Sequence, residues 1–61
     1  MTPDPKLEVE VRAQMNRLRG RLAGFIEGCG LAEKQERSMI STMKSLTYDA
    51  EKDLVGLINE D

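Results

Sequence analysis

Apolar residues in the first half of the chain fall at Val11, Met15, Leu18, Leu22, Phe25 and Cys29. Their alternating steps of four and three form the a/d repeat of a helix that packs along one side, and Leu7 and Ile26 widen the stripe. Thr2 and Asp4 can each serve as an N-cap. Each is followed by a proline (Pro3, Pro5), which a first helical turn tolerates because its N–H has no intrahelical partner there. Gly28-Cys29-Gly30 supplies a stop, with a glycine suited to the left-handed position after a helix. The second half repeats the pattern at Met39/Ile40, Met43, Leu46, Ala50, Leu54 and Leu57/Ile58. The reading is a first helix over about residues 5–28, a turn at 28–31 and a second helix over about 32–59. Each helix is about 25 residues long, or roughly 37 Å. Leu31 and Cys29 are expected to close the end of the core. A turn this short makes the helices antiparallel neighbours. No strand, repeat or linker is visible, so residues 1–61 form a single all-α, antiparallel two-helix hairpin domain.

Length changes this picture. A chain of 61 residues buries only about 60% of its unfolded surface, and a core of that size rarely supplies more than about 3–5 kcal/mol. One cysteine cannot form an internal disulfide, and with no histidine there is no structural zinc site. Self-association is the staple left. The hairpin is expected to build a helical-bundle homo-oligomer, a dimer at the least, with stability tied to protomer concentration.

Charged residues make up 33% of the chain and the net charge is −2, so the chain as a whole is not a nucleic-acid-binding polycation. The two halves differ. Lys6 to Gly28 holds five basic and three acidic residues, Leu31 to Asp61 four basic and seven acidic. Such asymmetry matches antiparallel or intersubunit pairing. No apolar run reaches the ~18 residues of a membrane span, no signal peptide is visible, and a lone free cysteine suits a reducing compartment. The expectation is a cytoplasmic protein without a membrane partner.

Most catalytic constellations are missing. Without histidine there is no His-based triad or facial metal triad, and there is no P-loop or dinucleotide-binding glycine motif. Phe25 and Tyr48 are the only aromatic residues, too few for a single-strand stacking platform within one chain. Asp49 and Asp53 read as solvated carboxylates flanking Lys52. Cys29 sits at a helix C-terminus, where the dipole disfavours a thiolate. The four methionines suit gap-filling in a core. The sequence predicts no enzyme, metal or cofactor.

Three features stand out. Arg12, Arg17, Arg19 and Arg21 lie in a stretch, Val11 to Ile26, that holds no acidic residue. Guanidinium forks suit phosphates and carboxylates, and pairing with acids of helix 2 or of another subunit is the competing use. Gly20, Gly24 and Gly28 recur every four residues, each costing about 1 kcal/mol against alanine; a neighbouring helix or a ligand that needs close backbone approach would explain them. Ser38, Ser41, Thr42, Ser45 and Thr47, followed by Tyr48, form a hydroxyl row on helix 2 beside Arg37 and Lys44, either a polar ligand wall or a wet face. Together they fit a phosphate-bearing small molecule held where protomers meet, with Arg17, Arg21, Ser41, Ser45 and Tyr48 as its contacts and Arg12, Thr42 and Lys44 beside them.

From Ala32 to Ile58, AEKQERSMISTMKSLTYDAEKDLVGLI resembles the second helix of the short hairpin domain of phage anti-CBASS and anti-Thoeris proteins. The resemblance rests on the short hairpin, on Arg37 opening the helix, and on Thr42 followed six residues later by the aromatic Tyr48. It covers less than half the chain. It implies a symmetric oligomer that sequesters a cyclic nucleotide or related immune signal between protomers, acting in the host cytoplasm. The rival expectation is a hairpin dimer serving as a regulatory adaptor for a protein or a structured RNA.

Overall fold

A computed structural model describes residues 5–60, and these form two α-helices: α1 (Pro5–Glu27) and α2 (Glu33–Ile58). They run antiparallel as a hairpin, with no strand among the described residues. The proposed caps Thr2 and Asp4 lie outside the described residues. Pro5 is the first described residue of α1, and its fixed φ is compatible with a helix. The turn uses the glycines as expected. Cys29 N–H donates to Ile26 O at 3.1 Å, and Gly30 takes a φ of 70°, a left-handed conformation that glycine adopts without a Cβ clash. Ala32 occupies the N-cap of α2 with extended backbone (φ −60°, ψ 145°) but has no side chain able to cap. Glu33 and Glu36 in the first turn offset the exposed N–H groups through the helix dipole.

The packing faces differ from the heptad reading. In α1 the half-buried or buried line runs Val11, Met15, Arg19, Leu22, Ile26; in α2 it runs Ile40, Met43, Thr47, Glu51, Val55, Ile58. Leu18, Phe25, Leu46, Leu54 and Leu57, expected inside, are exposed, as is Cys29. Leu31 is half-buried at the turn. The reason lies in the width of the apolar arc. It spans more of each helix than one partner helix can cover, so the hairpin closes over one edge and leaves the other outside. The covered edge holds charge that is matched across the helices (Arg19 with Glu51), which a count of apolar residues alone misses.

The resulting core is thin. Ile26 and Met43 are the buried apolar side chains among the described residues, and none there is fully enclosed. Buried beside them is Thr47, whose hydroxyl donates to Met43 O at 2.8 Å, so it carries no unmet polar group into the interface. At the open end Asn59 Nδ2 donates to Glu8 Oε1 at 3.1 Å and ties the two termini together.

Candidate functional site

Arg12 and Arg19 stand seven residues apart, close to two full turns, and so share one side of α1. Both reach one carboxylate. Arg19 Nη2 donates to Glu51 Oε1 at 2.9 Å and Arg12 Nη1 donates to Glu51 Oε2 at 3.0 Å. The side chains of Arg19 and Glu51 are each 10% exposed, whereas that of Arg12 is 53% exposed. The Tyr48 ring lies over the Arg19 guanidinium, with Cζ 3.9 Å from the ring centroid, a cation–π contact. Arg19 Nη1 is buried without a hydrogen-bond partner. Two guanidinium groups share one carboxylate, so this face keeps an excess positive charge, carried at the surface by Arg12. Lys44, one turn before Tyr48, and Lys52, one turn after it, are both exposed and add to it.

The residues expected to form a ligand site divide between two faces. Arg12, Lys44 and Tyr48 lie on the cationic side. Ser41, two turns before Tyr48, and Ser45, three residues before it, are exposed along the same stretch of α2. Arg21 stands nine residues from Arg12, two and a half turns, and so points away from that side. With Arg17 it lines a small groove of about 190 Å³ made by α1 alone, beside Gln14 and Leu18. Thr42 and Ser38 face an apolar groove of about 440 Å³ lined by Phe25, Met39, Met43 and Leu46. Thr47 points inward. The hydroxyl row is therefore not one wall.

The glycine row is open at two of its three positions. A Cβ at Gly20 or Gly24 would have no neighbour within 4 Å, while one at Gly28 would sit 3.4 Å from Gly24 O. Close packing of α2 thus does not explain Gly20 or Gly24. Arg37 is tied to Glu33 within its own helix at 2.7 Å. For Arg12 and Arg19 the competing use, pairing with an acid of helix 2, is the one observed, and Glu51, not singled out among those acids, is the partner. Its signal was present in the seven-residue spacing of Arg12 and Arg19 and in an acid on the opposing helix two turns from the open end.

No group of histidine, cysteine or carboxylate side chains among the described residues could hold a metal ion. No helix there is long and apolar enough to cross a membrane. No protein-family model, curated protein or solved structure gives a significant match to this chain.

Proposed function

We propose that this hairpin is a self-associating binding module that holds a phosphate-bearing small molecule without converting it. The observation that carries this reading is the Arg12–Glu51–Arg19 cluster with Tyr48 stacked on it. The cluster joins a half-exposed guanidinium, Arg12 on Glu51, and an aromatic ring, Tyr48 on Arg19, through the shared Arg19–Glu51 pair, with Lys44 and Lys52 one turn to either side of Tyr48. Guanidinium and ammonium groups suit phosphate, and the outer face of Tyr48, which is 54% exposed, is free to stack on a base. A cyclic nucleotide or related immune signal, as in the phage sponge proteins, has both parts. On this reading the ligand contacts are Arg12, Lys44 and Tyr48, with Ser41 and Ser45 as hydroxyl donors along α2.

Native mass spectrometry of protein purified gently from cells, repeated after adding cyclic dinucleotides, tests the reading. A retained nucleotide-sized mass, lost in Arg12→Ala and Tyr48→Ala variants that keep their helicity, supports it. No retained mass with any cyclic nucleotide at micromolar concentration overturns it. The adaptor reading draws on a different observation, the uncovered apolar side chains Phe25, Met39, Leu46 and Leu57, which could lie against a partner helix. Its RNA version requires binding that falls steeply with salt.

A further inference from the structure

The hairpin has two unlike faces. One carries Arg12, Tyr48 and Lys44. The other carries Leu18, Phe25, Met39, Leu46, Leu54 and Leu57, all exposed, of which Phe25, Met39 and Leu46 line the groove between the helices. Among the described residues the core holds two buried apolar side chains, short of what a chain of this length needs, and the second face is the apolar surface available to add burial. The charges along its two edges indicate what covers it. On α1 the outer edge beside Leu18 carries Arg17 and Arg21. On α2, Asp49 and Asp53 are exposed and stand three or four residues from Leu46 and Leu57, on the corresponding outer edge.

These edges are matched in register. Within the chain Arg19 meets Glu51. Two residues forward on α1 and two back on α2 lie Arg21 and Asp49; two residues the other way lie Arg17 and Asp53. Any antiparallel α1–α2 contact with the register of the hairpin therefore lines up both pairs. We propose that the apolar face is covered by a second copy of this chain in a two-fold four-helix bundle, with α1 of each protomer packed on α2 of the other and both turns at the same end. Arg21 then pairs with Asp49 of the partner subunit, and Arg17 with Asp53 of the partner subunit, along the outer seam. They occupy the place of the flanking charges that set partner choice in coiled coils. The alternative bundle, α1 on α1 and α2 on α2, runs the Asp49/Asp53 edge along its own copy, where like charges oppose association. Glu10, further along the α1 edge, is engaged by Gln14 within its helix.

This deepens the self-association part of the proposed function and needs no ligand, so its test uses protein alone. Sedimentation equilibrium should show a dimer for the natural chain. Arg17→Asp with Arg21→Asp should weaken it by roughly tenfold or more, because attractive flanking pairs on two seams become repulsive. Adding Asp49→Arg and Asp53→Arg to the same chain should restore the dimer, which a simple folding defect would not allow. Spin labels on the natural Cys29, which is exposed at the turn, should lie at the same end of the bundle, far closer than the 49 Å length of the hairpin. A monomer at every concentration overturns the proposal. So does a dimer indifferent to the charge changes, or one whose Cys29 labels sit at opposite ends.

Discussion

Replacing Glu51 by glutamine tests the polar pair at the centre of the hairpin. The carboxylate serves two arginines in different surroundings. The Arg12 half is largely solvated, with that side chain 53% exposed, and such a pair contributes about 0.2–1 kcal/mol after screening. The Arg19 half is buried, with both side chains 10% exposed. Removing one partner of a buried pair costs about 3–5 kcal/mol, because the remaining charge is left without compensation. That equals the whole expected stability of so small a core, so Glu51→Gln should unfold much of the protein at low concentration. Replacing both partners reverses the expectation. Arg19 already buries one nitrogen without a partner, a group that costs about 1–3 kcal/mol. Arg19→Met with Glu51→Leu removes that cost together with the desolvation of both charges. It gives up a Tyr48 contact worth about 0.5–1 kcal/mol and lets Arg12 turn into water. The double variant should equal or exceed the parent. Urea unfolding followed by circular dichroism at several protein concentrations separates these cases, since association adds to apparent stability. An unchanged midpoint for Glu51→Gln, or a double variant as unstable as the single, would refute the reasoning.

Other expectations follow from local geometry. Ala32→Ser places a hydroxyl at an N-cap with suitable backbone and completes a capping box with Gln35; a gain of about 0.5–2 kcal/mol should appear as a higher urea midpoint. Gly20→Ala and Gly24→Ala add methyl groups into open space and should each stabilise α1 by about 0.4–1 kcal/mol; a loss in thermal denaturation would mean that another molecule packs on that edge. Ile26→Ala, at a side chain 5% exposed, should cost about 2–5 kcal/mol at every protein concentration. Phe25→Ala, at a side chain 68% exposed, should instead lower stability mainly where the protein is dimeric, as sedimentation and melts run in parallel can show.

The helices and the turn were legible because they depend on local chemistry. Pro5, the glycines of the turn and the three-to-four spacing each act within a few residues, and the helix bounds differ from the expected ones by one residue at three ends and coincide at Pro5. Which edge of the apolar arc faces inward was not legible, because it is decided between helices. Leu18 and Arg19 are adjacent in sequence, and only the presence of Glu51 opposite makes the arginine an acceptable inward residue. The candidate ligand site divided for the same reason. Four arginines within ten residues look like one group along the chain, but helical geometry sends Arg12 and Arg19 toward α2 and Arg17 and Arg21 away from it.

The inward placement of that ion pair bears on how the whole molecule works. A hairpin closed over Leu18, Phe25, Leu46 and Leu54 would hide its best apolar side chains inside one protomer, turn Arg19 and Glu51 into water, and leave little to attract a second copy. Burying Arg19 with Glu51 contributes little net stability. Its expected effect is to fix the rotation of each helix about its own axis, with Phe25, Met39 and Leu46 on one outer face and Tyr48 with Arg12 on the other. On the proposed reading, a single buried pair would thereby separate the self-associating face from the ligand face. The apolar double variant, even if more stable, should for that reason associate less specifically. A broader distribution of oligomers in native mass spectrometry, at undiminished helicity, is the result that would distinguish a pair that sets orientation from one that merely fills space.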